Sequence, residues 1–563
     1  MKGKKLTKYA PLAVVALLAA SCGGGDNVVD KSLETGPGYA ASRRVFDNFM
    51  ASDALYKEVA FTNHGQGFFP SFGKPKLVVV PCVYSDDNQS ADTITELEGS
   101  LQRAFFGAPE ETAWHSVKSF YYADSYGMCD LEGIVVKTIK LDKTYSEMNA
   151  VGEHNFAIEE IFDKVFGEGG QLAGKESEYD DNKDGVIDGI YCVPLNSKVN
   201  NPDTFGWAWT TNHYFSSALI ARSKAKYQAI GTWCWTSSLF MTRVAGGKGS
   251  ITKPDSHTFI HEMGHQFGLN DYYDPSNQGS STAGGGSMQD QNIGAHDIYS
   301  RYLLGWANPQ VVTDENKEAT ITINLKPSDS TGDFLLLASG YNGTALDEYI
   351  AVELYTPTGL NKADSESSYE SKDQILPNEP GLRIWHVDKN IHEAHLVRTR
   401  DANNKVVWTT YFDPNPASKV NTLGKDKGYA FPDDVAPEDD DIPDQNDTYY
   451  TTFTTNNSEN YSNAGDAAEN FYIKPELQIL RADKGTATPS ATITNTTLFK
   501  EGATFGAAGD VFNGFEFYSP IGVLDYDTPA DAWNSAPKHK LPYSIKVDSL
   551  NGEGAKLTLT KLS

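Results

Sequence analysis

Residues 261 to 271 read "HEMGHQFGLND" and decide how the rest of the chain is to be understood. Positions i and i+4 of an α-helix share a face, so His261 and His265 can each present an imidazole nitrogen to one tetrahedral ion. Glu262 follows the first histidine and stands beside such an ion rather than on it. There a carboxylate takes a proton from metal-activated water and passes it to a leaving amine, acting first as general base and then as general acid. Gly264 keeps the helix slim, and Gly268 can take positive φ and turn the chain back toward the ion. That return makes Asp271 the expected third ligand, with Asp274 in "DYYD" competing. Three protein ligands leave a fourth position for water, which zinc makes acidic enough to yield hydroxide near neutral pH. The bland alternative is an amphipathic helix with two incidental histidines. With 12 histidines in the chain, a bare HExxH arises by chance on the order of one time in a hundred, before the glycine and aspartate are required.

Working outward, the stretch from Lys76 alternates strand-like and helix-like segments: "KLVVVPCVY", "TITELEGSLQRAFFG", "HSVKSFYYADSYGM", "CDLEGIVVKTI", "NFAIEEIFDKVFG" and "DGIYCVPL". This is an α/β-like layout within an α+β protein, running to about Pro309. Beyond it, "EATITINLKP", "DFLLLAS", "EYIAVELYTP", "GLRIWHVD", "YSIKVDSL" and "AKLTLTKLS" are short runs broken by turn residues. They predict a β-rich second half arranged as a sandwich. The expected organisation is a signal peptide over 1–21, a tether, N-terminal segment or prosegment over 22–75, a catalytic domain over 76–312 and the β-rich region over 313–563. No fixed-period repeat is visible, and "PEDDDIPDQND" from Pro437 reads as a solvated acidic loop.

HExxHxxGxxD followed by "YYDPSN" and "GGGSMQDQNIGAHDIYSRYLLGW" resembles the M6 peptidases, the immune inhibitor A-like metallopeptidases of bacteria. Upstream "LVVVPCVYSDD" and "SVKSFYYADSYGMCDLEG", and downstream "DEYIAVELYTPTGLNKADS" and "GLRIWHVD", resemble stretches of the same family, so the likeness covers roughly Lys76 to Asp388. The resemblance implies a zincin or metzincin-like catalytic domain, a zinc cofactor and peptide-bond hydrolysis. It also implies a methionine turn beneath the zinc, for which Met288 in "GGSMQD" is the candidate, core filling being its alternative. Among His296, Tyr299 and Tyr302, a tyrosine would suit an oxyanion; packing of the "YSRYLLGW" helix is the plainer reading.

A second cation site is suggested by "DDNKDGVIDG" from Asp180, which offers Asp180, Asn182, Asp184 and Asp188 around a glycine at 185. This approximates the first half of a calcium loop but lacks the closing glutamate of an EF-hand. An acidic turn without an ion is the alternative.

The charge balance argues against nucleic acid as a partner. Lys plus Arg is 47 and Asp plus Glu 75, a formal charge of −28, which opposes binding to nucleic acid or anionic lipid. The opening "MKGKKLTKYAPLAVVALLAASC" joins lysines to an apolar run too short to span a bilayer. Its "LLAASC" resembles the bacterial lipobox, which implies lipidation at Cys22, export to the cell envelope and membrane contact through that lipid alone. Cys82, Cys129, Cys192 and Cys234 permit two disulfides, but Cys82 and Cys192 lie in apolar runs that suit buried thiols equally. The reading as a whole is a surface-anchored zinc endopeptidase acting on extracellular proteins or peptides. Its alternative is a catalytically silent adhesin or glycan-binding protein on a peptidase scaffold.

Overall fold

The run "KLVVVPCV" forms β1 (Lys76–Val83), and it is apolar after Lys76 because it lies inside a sheet covered on both faces. The computed structural model describes residues 69–151, 155–181, 187–195, 209–214, 229–242, 249–269, 271–274, 277–281, 283–338, 341, 345, 348–368, 375–388, 393–400, 406–412, 448–452, 477–483, 492–506, 516–517, 539–540 and 543–562. It is a mixed structure of helices and sheets. β1 is joined by β2 (Glu132–Val135), β3 (Ile139–Lys140), β4 (Ile187–Pro194), β5 (Trp209–Tyr214) and β6 (Ala229–Trp235). The order is β2-β1-β4-β6-β5, with β3 also pairing β1. β1 is parallel to β2, β3 and β4, and β4 to β6; only the edge strand β5 runs antiparallel.

Successive side chains of a strand point to opposite faces. In β1, Leu77 and Val79 therefore enter one hydrophobic cluster, and Val78, Val80 and Cys82 the other. The first is covered by α1 (Ala91–Phe106) through Leu101, Ala104 and Phe105, and by α2 (Val117–Asp124) through Val117, Phe120 and Tyr121. After the short α3 (Tyr145–Val151), α4 (Asn155–Phe166) covers the second with Ile158, Ile161, Phe162 and Val165. Serine caps start both helices of the first face: Ser90 accepts from the Thr93 amide and Ser116 from the Ser119 amide. The helix that carries the histidines, α5 (His257–Gln266), packs on this same face.

Further on come the hairpin β7 (Tyr273–Asp274) and β8 (Asn277–Ser281), then α6 (Met288–Gln291) and α7 (Ile298–Leu303). β9 (Asn308–Thr313), β10 (Thr320–Leu325), α8 (Ser328–Thr331), β11 (Asp333–Ala338), β12 (Glu348–Tyr355), α9 (Lys362–Glu366) and β13 (Gly381–Asp388) follow. β14 (Glu393–Arg400), β15 (Val406–Phe412) and β16 (Thr448–Thr452) make a separate antiparallel group. The remaining strands are β17 (Leu477–Leu480), β18 (Thr504–Gly506), the pair β19 (Glu516–Phe517) and β20 (His539–Lys540), β21 (Tyr543–Leu550) and β22 (Ala555–Lys561). They form a five-stranded sheet, β17-β13-β12-β11-β9, and a four-stranded one, β10-β22-β21-β18.

One hydrophobic cluster joins these two sheets: Leu335, Leu337, Ile350 and Val352 of the first meet Ile545, Val547, Leu557 and Leu559 of the second. The opposite face of the five-stranded sheet, with Phe334, Leu336, Tyr349, Ala351 and Trp385, shares its cluster with Phe259, Met263, Tyr302 and Trp306. Buried on both sides, β12 shows no exposed position, although its sequence carries Glu348 and Glu353. β9 begins in the α/β-like part and pairs with β11, so the passage between the halves expected at 312/313 falls within a strand.

Cys82, Cys129, Cys192 and Cys234 are buried thiols, none of them in a disulfide. The first and third face one cluster while the other two face the opposite one. Burial pushes the Cys82, Cys129 and Cys192 thiols far up. Among the described residues no helix is long and apolar enough to cross a membrane. Cys22 lies outside the described residues.

Candidate metal centre

The motif residues 257 to 266 form α5, and its core-facing side is Phe259, Ile260 and Met263. The helix is pinned at several points. The Tyr121 hydroxyl donates to the Ile260 carbonyl at 2.7 Å, the Gln266 side-chain amide to the Ile190 carbonyl of β4 at 2.9 Å, and the Phe69 amide to the Gln266 carbonyl at 2.9 Å. It ends as its glycine predicts. Gly268 has φ of +95°, its amide donates to the His265 carbonyl at 2.9 Å, and the Leu269 amide donates to the Gly264 carbonyl at 3.0 Å. That pair of bonds is a Schellman termination, which reverses the chain.

The reversal brings Asp271 over the helix face. Its Oδ1 lies 2.9 Å from His261 Nε2 and 3.2 Å from His265 Nε2. The other ring nitrogens are engaged behind: His261 Nδ1 donates to the Met288 carbonyl at 2.8 Å and His265 Nδ1 to the Leu269 carbonyl at 2.7 Å. With Nδ1 donating in this way, each Nε2 would be the nitrogen that a metal takes. Ligand atoms about 2.0–2.1 Å from a tetrahedral zinc stand about 3.3 Å apart, close to the separations seen here. His261, His265 and Asp271 are the only such convergence among the described residues, and the donor set fits zinc. Without an ion, the charges of His265 and Asp271 act on one another. Burial works against a charged His265, but the Asp271 carboxylate, with help from Glu262, raises it to about 9. Burial likewise opposes the Asp271 charge, and the two histidines hold that carboxyl well below the ordinary range.

Glu262 is buried in the helix between the two histidines, and its charge is felt by His265 and by Tyr191. Asp274 lies in β7, paired across the hairpin with Asn277. Met288 is buried in the core, and what it gives the site is its backbone carbonyl on His261. Gly264 has a specific reason to be glycine: a Cβ there would sit 2.1 Å from Gln289 Oε1. His296, Tyr299 and Tyr302 are core residues. His296 bridges Asp124 at 2.7 Å and Gln289 at 3.1 Å, Tyr302 meets the Tyr341 hydroxyl, and Tyr299 packs near Tyr272.

Asp124 and Arg301 form an ion pair at 2.8 Å with both side chains fully buried, and it supports His296 from behind. At the start of α5, His257 is likewise enclosed. Its Nδ1 lies 3.1 Å from both Asp255 oxygens, its Nε2 3.5 Å from Asp364, and its ring stacks on Trp114 at 4.1 Å. Burial disfavours a charge there, but Asp255 and then Asp364 outweigh it and lift His257 to about 9. Burial and the charge of His257 push neighbouring His115 down to about 4. The sequence reading missed this anchor. The local signal was "DSH" ahead of the motif; Asp364, about a hundred positions downstream, gave none.

Of the loop read as a calcium site, Asp180 and Asp188 are buried, and Asp188 accepts from the Asp181 amide at 2.7 Å. Asn182 and Asp184 lie outside the described residues. Asp181 carries a role the sequence did not suggest, accepting from the Lys76 amide at the start of β1.

No protein-family model matches the chain, and no curated protein matches it significantly.

Proposed function

We propose that the chain is a zinc-dependent endopeptidase of the immune inhibitor A-like, M6 type, exported and held at the bacterial cell envelope by a lipid on Cys22. The observation that carries the reading is the meeting of His261 Nε2 and His265 Nε2 on one oxygen of Asp271, with both Nδ1 atoms engaged by carbonyls. A metzincin-like first half is supported by the motif helix ending at Gly268 and by the turn that sets the Met288 carbonyl beneath His261. A sandwich reading of the second half is supported by the hydrophobic cluster shared between its two larger sheets.

Zinc at this site would supply Lewis-acid activation of water and polarisation of the scissile carbonyl. The chain's own residues do the rest. His261, His265 and Asp271 hold the ion. Glu262 takes the proton from the attacking water and delivers it to the amine as the C–N bond breaks, so its carboxylate is regenerated each turnover. Strand β5, at the edge of its sheet among the described residues, packs near α5, and an extended peptide pairing along it would gain affinity independent of side-chain sequence.

The test is zinc content and casein hydrolysis by the purified protein, with and without phenanthroline. The expected result is about one zinc per chain and cleavage that stops with the chelator and returns with added zinc. Zinc without cleavage of any protein favours the silent binding module, and no zinc at all removes the metal reading.

A further inference from the structure

The metal-supporting turn over residues 284–296 is held from outside the α/β-like half. The turn is closed on itself from within: the Met288 amide donates to the Ala295 carbonyl at 3.3 Å. From within the turn the Met288 carbonyl reaches His261, and the Gln289 carbonyl accepts from the Tyr272 amide at 2.9 Å, next to Asp271. Two of the three proposed ligands therefore take their position from this turn.

Its outer side is gripped by the β-rich half. Asp364 Oδ2 accepts from the Gly294 amide at 2.7 Å and Asn361 Oδ1 from the Ala295 amide at 3.0 Å. Arg383 donates to the Gly286 carbonyl at 2.9 Å, and the Ile493 amide to the Gly284 carbonyl at 2.8 Å. The fit is tight as well as polar. Gly294 has φ of +61°, with the position of an added Cβ 2.5 Å from Leu376 and 2.8 Å from Asn361; at Gly286 the added atom would lie 2.3 Å from Ile493. Asn361 and Asp364 are both about 1 % exposed, so neither bond competes with water. A continuous path results: Asn361 to Ala295, Ala295 to Met288, Met288 to His261.

We infer that the β-rich half is a working part of the metal centre, with Asn361 and Asp364 as positioning residues that set the His261 imidazole through the 284–296 turn. The inference rests on the zinc reading proposed above. Groups behind metal-binding histidines orient them and are worth about ten- to a hundredfold in metal affinity, so loosening this grip should be read in zinc retention before it is read in catalysis.

The experiment uses the full-length chain and four variants: Asn361→Ala, Asp364→Ala, Asp364→Asn and, as a control in the far cluster, Leu557→Ala. Zinc affinity is measured by competition with a chelator, hydrogen exchange at the Gly294 and Ala295 amides by NMR, and melting temperature alongside. The expected result is about tenfold weaker zinc binding in both alanine variants, with faster exchange at the matching amide. Asp364→Asn, which keeps an oxygen for the Gly294 amide, restores most of the affinity. Leu557→Ala melts lower but keeps its zinc. The inference is overturned if the alanine variants expose their amides yet hold zinc as tightly as wild type, or if Leu557→Ala loses zinc equally. Wild type that binds no zinc removes the metal reading itself, a result distinct from either.

Discussion

Gly264→Ala is the smallest change that tests how the ligand helix is seated. The added methyl would fall on the Gln289 amide, whose other neighbour, His296, is fully buried and held by Asp124, so the amide has little room to withdraw. Overpacking of this kind costs about 1–3 kcal/mol, and here it acts one position from His265. A lower melting temperature together with weaker zinc retention is expected; a variant that melts and binds as wild type would contradict the seating. Asp271→Ala should weaken zinc binding more than about a hundredfold, and Asp274→Ala far less, because the former carboxylate is the one at both imidazoles. Titration with a fluorescent chelator distinguishes them, and the reverse order would exchange their roles. At this scale the sequence was informative: histidine spacing, the terminating Gly268 and the return to Asp271 all follow from helical geometry. The partner that requires Gly264 to be glycine was not legible, since nothing in "HEMGH" points to Gln289. Nor was the role of Met288, which reaches His261 through a backbone carbonyl that any residue would possess.

Helix α5 is anchored at its beginning by a charge, and that gives its stability a pH dependence. His257 ionises near 9 in the folded protein against an ordinary 6.5. A raised histidine contributes stability that is complete below pH 6.5 and is lost as pH rises through 9. The shift sets an upper scale of about 3 kcal/mol. Melting of the zinc-loaded protein should therefore fall from pH 6.5 to 9, and His257→Gln should flatten that fall. A wild-type profile level across this window would show that the Asp255 and Asp364 contacts do not hold a charged imidazole. Elements themselves were partly legible. β1 and β4 stand where continuous apolar runs of strand length lie, and α1 falls on the helix-like "TITELEGSLQRAFFG". Their order in the sheet was not, because register between strands far apart in sequence depends on side-chain fit rather than on local pattern.

For the whole molecule, the five-stranded sheet decides cooperativity. One of its faces shares a cluster with the ligand helix and the other with the four-stranded sheet, so neither half can open without exposing the sheet between them. Calorimetry should give one transition for the described core, and two well-separated transitions would contradict this coupling. Within that sheet Arg383 and Glu353 pair at 2.9 Å, both essentially without solvent, and Trp385 donates to the same carboxylate at 2.8 Å. Glu353→Ala would strand the guanidinium, at a cost of about 3–5 kcal/mol, and should lower that single transition as a unit. In the sequence, "EYIAVELY" reads as one of a series of short strands broken by turns. Burial on both faces was hidden because Glu348 and Glu353 give the run a polar look, and their partners His386 and Arg383 lie on the next strand.

The central claim is that Glu262 moves protons while its neighbours hold the metal, and Glu262→Gln tests it most directly. The amide keeps the size of the side chain and removes its basicity. The variant should bind about one zinc with unchanged affinity, melt as wild type does, and lose casein hydrolysis by at least about a hundredfold. Hydrolysis at the wild-type rate by the zinc-loaded variant would contradict the account.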